Sequence, residues 1–406
     1  MRRVVITGMG IWSSIGQDLQ TVTESLKQGR SGIIFDQSRL DYGLQSGLVG
    51  NVPRPDMKFL PRNERIMLSE DAEYAYMAAR QALEQSCLTE DVCKSQDLGI
   101  IWSNDLNSHQ QEFLQIMEQE HCPALIGYNA LPKSTVSSAA LNLSRLFHLT
   151  GVAMNISASC AGSTHAIGTA SMFIQTGQQD VVLVGGSFEN NKESLYHLTT
   201  DTLFRDTRFN DTPQEANRPF DQEAVGSIPS GGAAALVLEE YEHAARRGAT
   251  ILAEVVGYGF ASGLNDAYYL HKWETGNRAM DSALGMAGLR ALDLSLITSR
   301  ADAWPVSDQA EAKSLRELCG SYKIPITATD SISGHEGSMS GTSRTIYSIL
   351  MMQNDFIAPT INLENVIDEA KELYIVREAQ NAHINTIMIN AAGLWGTYST
   401  IIIKKL

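Results

Sequence analysis

The chain has 406 residues, 43% of them hydrophobic and 19% charged, and a formal net charge of −15. That acidity repels nucleic acid and anionic membrane over most of the surface, and no apolar run reaches the roughly 18 residues of a spanning helix. Five cysteines, odd in number and without CxxC spacing, point to neither a disulfide framework nor a zinc site.

Met1-Arg2-Arg3 runs directly into Val4-Val5-Ile6-Thr7-Gly8. This apolar stretch is too short for a signal sequence and reads as a strand, so a cytoplasmic location is expected. The pattern predicts a strand over Arg3 to Thr7, a turn at Gly8-Met9-Gly10 and a helix near Leu19 to Gln28. A helix over Glu70 to Gln85 carries Ala and Tyr at helical spacing, and short apolar runs at Leu98 to Trp102, Ala153 to Ile156 and Val181 to Val184 read as strands covered on both faces. Gly185-Gly186 and Gly231-Gly232 lack any dinucleotide or phosphate-loop pattern and are read as packing turns, so no nucleotide cofactor and no metal are expected. From Thr250 the sequence repeats the opening. Ile251 to Gly259 is again an apolar strand with a glycine turn, followed by a helix near Ala279 to Ala291. Strands alternating with helices give an α/β class, here two halves at 1–249 and 250–406 with no linker between them.

The chemistry centres on Asn155-Ile156-Ser157-Ala158-Ser159-Cys160-Ala161-Gly162-Ser163-Thr164-His165. A cysteine between a strand and a helix stands at the positive end of the helix dipole, which favours a thiolate. Its own N–H would point at the oxygen of a thioester it attacked. An isolated cysteine is ordinarily a core residue. The company that Cys160 keeps argues otherwise.

That company is the set Val4 to Gly10, Ser157 to Gly168, Arg218-Pro219-Phe220-Asp221 with Gly226, Ala235 to Ala244, Ser333-Gly334-His335 through Leu350, and Phe356 to Asn362. In this order, and over nearly the whole chain, it resembles the elongating β-ketoacyl-acyl-carrier-protein synthases. The resemblance implies a thiolase fold of five αβαβα layers and an obligate dimer. It also implies decarboxylative condensation of an acyl-cysteine with a malonyl group on acyl carrier protein. Such chemistry takes a thiolate, two imidazoles and two oxyanion N–H groups, with a lysine near the second imidazole.

Carried over by position, Cys160 matches the nucleophile and His335 the second histidine. Arg300 falls where the first histidine belongs, and no histidine lies between His271 and His335. Asp330 replaces the lysine, while Glu311 matches that lysine's acidic partner. Two carboxylates would then share the site and oppose a thiolate, so an arginine is expected to pair with Asp330 or Glu311. In the C-terminal loop, Leu394 and Trp395 replace a Phe-Gly pair, with Leu394 N–H as the oxyanion donor. The loss of glycine predicts a stiff gate, and Trp395 with Trp304 a filled or reshaped acyl tunnel.

Two functions follow from the resemblance. One is a chain-length-factor-like subunit that pairs with an intact ketosynthase, similar to the partner in aryl-polyene, polyketide or fatty-acid-like pathways. The alternative is an active synthase or an acyltransferase using Cys160 and His335, as a homodimer. Acyl carrier protein is the expected partner in either case. Arg62 and Arg65 match the helical region where the family docks it, with Arg205 and Arg208 as a second candidate within an otherwise acidic chain.

Overall fold

The computed structural model describes residues 1–88, 93, 97–191, 206–263 and 271–406. Eleven strands form its main sheet: β1 (Val4–Ser13), β2 (Gly99–Ser103), β3 (Ala153–Ile156), β4 (Val181–Phe188), β5 (Gly232–Glu240), β6 (Ala253–Ser262), β7 (Leu296–Thr298), β8 (Pro325–Thr327), β9 (Tyr374–Ile375), β10 (Thr386–Gly393) and β11 (Thr397–Lys404). Their spatial order is β9-β8-β7-β10-β11-β6-β1-β5-β4-β2-β3. The halves meet where Val5 and Ile6 of β1 pair with Glu254 and Ala253 of β6.

Outward from that seam each half repeats one pattern. β1 is antiparallel to β5, β5 to β4, and β4 runs parallel to β2 and β2 to β3. β6 is antiparallel to β11, β11 to β10, and β10 runs parallel to β7 and β7 to β8. The fold is therefore duplicated.

Six helices complete the layers: α1 (Glu70–Gln85), α2 (Ser138–Leu146), α3 (Gly162–Gln175), α4 (Trp273–Ala287), α5 (Pro305–Cys319) and α6 (Ser340–Gln353). Strand alternation assigns each a side. Val182, Val184, Leu236, Ile387, Ile389 and Ile401 turn inward onto Ile167 and Ile174 of α3 and Ile346 and Leu350 of α6. Val181, Leu183, Ala235 and Val237 turn outward onto α1 and α2, and Ile297, Met388 and Ile402 turn outward onto α4 and α5. This gives five layers, helices outside and between the two halves of the sheet.

Glycine placement differs from the sequence reading. Gly8 and Gly10 form no turn; they lie inside β1, where an added Cβ would stand 2.1 Å from the carbonyl oxygens of Ala82 and Ala78 in α1. Gly257 and Gly259 lie likewise inside β6, 2.5 and 2.0 Å from the carbonyls of Ala283 and Ala279 in α4. Both pairs let a helix press its backbone onto a strand. Gly185 and Gly186 are also interior to a strand, β4, and Gly232 opens β5. The helix expected to run to Ala291 stops at Ala287 because Gly288, with φ 65°, caps it in the left-handed conformation.

Candidate functional site

The site lies where the carboxyl ends of the parallel strands open into loops, the usual rim for chemistry in α/β sheets. Asp105 follows β2, Cys160 follows β3, Arg300 and Asp302 follow β7, Asp330 and His335 follow β8, and Leu394 follows β10. Together they line a pocket of about 250 Å³, except Asp330, which stands just behind its wall.

Cys160 sits in the single turn Ser159–Ala161 between β3 and α3. Ser159 has φ 53° although it is not glycine, a strained position of the kind that persists when its surroundings hold it. Asp105 does the holding. Its carboxylate accepts from Ser159 N–H at 3.3 Å and from the hydroxyls of Ser157 and Ser338.

His335 faces the thiol, with Nε2 2.9 Å from Cys160 Sγ. Gly334, at φ 77°, turns the chain so that His335 N–H donates to Ile228 O and His335 O accepts from Ser230 N–H, both at 2.8 Å. The second ring nitrogen, Nδ1, stands 3.3 Å from Asp330 Oδ2 and 3.4 Å from Asp302 Oδ2. Burial draws the imidazole pKa down, but the Cys160 sulfur and the Asp330 carboxylate outweigh it, and His335 ends well above the ordinary histidine range. Thiol, imidazole and carboxylate thus stand in line, the arrangement that generates and orients a thiolate nucleophile.

Each of the two carboxylates noted in the sequence has its own arginine. Arg344, from α6, donates through Nε and Nη2 to Asp330 at 2.7–2.9 Å. Arg300 lies with Nε 3.2 Å from Glu311 Oε2, its Nη groups on Ser307 and its guanidinium 5.2 Å from the Tyr398 ring centre. Glu311 also accepts from Ser299 Oγ at 3.0 Å and Asn390 Nδ2 at 3.2 Å. Arg344 was absent from the sequence reading. The α6 pattern gives no hint of it, because thirteen of its fourteen residues, Ser340 to Met352, are buried. Behind Asp302, Asp308 is pushed well above the usual carboxylate range by burial and by the Asp302 charge.

The gate differs from expectation. Leu394 lines the pocket beside Ala392 and Gly393, whereas Trp395 is 64% exposed, with φ 61° in a left-handed conformation. Trp395 therefore does not fill the tunnel. A left-handed turn at that position sends its side chain out to solvent, and of the two tryptophans Trp304 is the buried one on the pocket wall.

His271 was also missed. It entered the sequence reading as the limit of a histidine-free interval, yet it lines the same pocket in the loop before α4. Its place after β6, at the same rim of the sheet, was the available signal.

Of the basic candidates, Arg62 is exposed and Arg65 half-buried on the short helix Arg62–Arg65, and neither makes an ion pair with the described residues. Arg208 is held by Asp206 at 3.3 Å and Glu223 at 3.4 Å. Arg205 lies outside the described residues. Among the described residues no helix is long and apolar enough to cross a membrane.

A duplicated α/β core with a thiol and a buried imidazole at its rim defines the thiolase-like class of acyl-transfer proteins. The comparisons with known proteins are narrower. Residues 1–244 match the β-ketoacyl synthase N-terminal domain and residues 252–364 the β-ketoacyl synthase C-terminal domain. The chain is 34% identical to 3-oxoacyl-[acyl-carrier-protein] synthase 1 of Haemophilus influenzae over 100% of its own length and 99% of the relative's. A crystal structure of a β-ketoacyl synthase from Burkholderia phymatum superposes with a TM-score of 0.93 at 29% identity, covering both chains fully. A type II polyketide ketosynthase in complex with its acyl-carrier protein superposes at 0.90 with 25% identity, again over both full chains. The chain belongs to the β-ketoacyl synthase family.

Proposed function

We propose that this chain is a Cys160-dependent acyltransferase of the β-ketoacyl synthase type, taking an acyl group from acyl carrier protein during fatty-acid-like or polyketide chain elongation in the cytoplasm. One observation carries the reading: Cys160 Sγ lies 2.9 Å from His335 Nε2, and the other face of that imidazole meets carboxylates. In this scheme His335 holds the proton of Cys160, the thiolate attacks the carrier thioester, and the acyl group moves from the carrier sulfur to Sγ while the carrier leaves as a thiol. Arg344 offsets Asp330, so the exchange of lysine for aspartate leaves the neighbourhood without an uncompensated negative charge. The halves 1–249 and 250–406 act as one unit, and Arg62 and Arg65 receive the carrier.

A chain-length-factor-like role beside an intact ketosynthase is the second reading. It is favoured by Arg300, whose side chain is committed to Glu311 and Ser307 in place of the first imidazole.

Incubation with acyl-carrier protein followed by intact-mass measurement separates the two. The proposal expects an acyl adduct on the purified chain that Cys160→Ala abolishes. A chain that stays unmodified alone, yet co-purifies with a second synthase whose product length it changes, would give the partner role instead.

A further inference from the structure

His271 places an imidazole in the Cys160 pocket with one nitrogen uncommitted. Its ring stands edge-on to Trp304 and Tyr398, with centroids 5.9 and 5.7 Å away and interplanar angles of 88° and 86°. Two aromatic planes therefore fix the ring's orientation. Nδ1 is buried and has no hydrogen-bond partner among the described residues. Buried polar nitrogens are nearly always paired, so an orphan on a ring that lines a cavity points to something that enters the cavity.

The neighbours are already engaged. Arg344 is held by Asp330, Arg300 by Glu311 and Ser307, and His335 by Cys160 and the two aspartates. Burial, with the Arg300 charge adding to it, holds His271 well below the ordinary histidine range. It is therefore a neutral ring at physiological pH, with one N–H to donate. A fixed neutral donor suits an oxygen that gains negative charge during reaction and is uncharged before it.

We propose that His271 is a catalytic residue that donates a hydrogen bond to the thioester carbonyl oxygen of a β-carboxy extender such as a malonyl group on carrier protein. The inference rests on the reading that Cys160 carries the acyl chain. The carbon–carbon bond to the extender carboxylate breaks and CO₂ leaves, its electron pair passing through the carbon to the carbonyl oxygen, where His271 stabilises the enolate. The enolate carbon then bonds to the acyl carbon on Cys160 as the carbon–sulfur bond breaks. Cys160 leaves as a thiolate and takes a proton from His335, which solvent restores. The products are a β-ketoacyl thioester on the carrier, CO₂ and the free thiol. A second imidazole thus reaches the site from the loop before α4, and Arg300 is released from that duty.

The test uses the full chain and follows two rates: formation of acyl-Cys160 by intact mass, and CO₂ release from malonyl-carrier protein by the acylated protein. His271→Phe keeps the ring plane without a donor, and CO₂ release should fall on the order of 10²-fold, far more than acylation changes. His271→Gln keeps a donor and should recover part of the loss. Undiminished CO₂ release in His271→Phe, or a parallel fall in both rates, overturns the inference. So does an unaltered protein that acylates Cys160 but releases no CO₂, and in that case the role of Cys160 stands. If the unaltered protein never acylates Cys160, the underlying reading fails and this inference with it.

Discussion

Asp330 shows how one buried carboxylate recruits its neighbours. A carboxylate at this depth is costly unless paired, and Asp330 and Arg344 are both about 1% exposed. Three short contacts from the guanidinium make the pair, while His335 Nδ1 approaches from the other side. Breaking such a pair from one side strands the other charge. Arg344→Met is expected to destabilise the fold by about 3–5 kcal/mol in chemical denaturation, and adding Asp330→Asn should restore much of that loss. A cost below about 1 kcal/mol for the single change would mean that Asp330 does not rely on this partner. The family resemblance implied a carboxylate where a cation is expected. Which arginine answers it was not legible, because Arg344 lies fourteen positions away inside a helix buried on every face.

At the scale of elements, strand and helix are held together by paired glycines and alanine carbonyls in both halves. Gly8→Ala would drive a methyl group to 2.1 Å from Ala82 O, a backbone atom that cannot step aside. The expected cost is about 1–3 kcal/mol or more, read as a lowered thermal midpoint. Gly285→Ala is the matched control: it sits exposed in α4 with nothing within 4 Å of the added Cβ, and should raise stability by about 0.5–1 kcal/mol. Equal effects at the two positions would show that close packing is not the reason for glycine in β1. The apolar run and the glycines were readable in sequence, and the helix over Glu70–Gln85 was placed at its observed ends. A glycine looks the same in a turn as under a helix, however, so the opening strand was cut short at Thr7 instead of continuing to Ser13.

Across the whole molecule, a chain of charge −15 has to present basic groups selectively if an acidic carrier is to dock. Intramolecular pairing makes the selection. Arg54 is held by Glu73 at 2.7 Å, Lys58 by Asp56 at 3.5 Å, and Arg208 by Asp206 and Glu223, which leaves Arg62 and Arg65 as the members of the cluster without an ion pair among the described residues. Reversing both to Glu is expected to weaken carrier binding on the order of tenfold at low salt, with the effect shrinking as salt rises. Arg208→Glu should do much less. Fluorescence anisotropy with labelled carrier protein checks this, and equal losses from the two sites would remove the distinction.

The sequence alone determined the α/β class, the duplication and the family, and it singled out Cys160 and His335 as candidates, because these rest on periodicity and on contiguous motifs that a linear reading preserves. Tertiary structure decided the rest. It set Arg344 against Asp330, turned Trp395 outward and brought His271 into the pocket, since burial and the convergence of strand ends depend on distances in space that spacing along the chain does not carry.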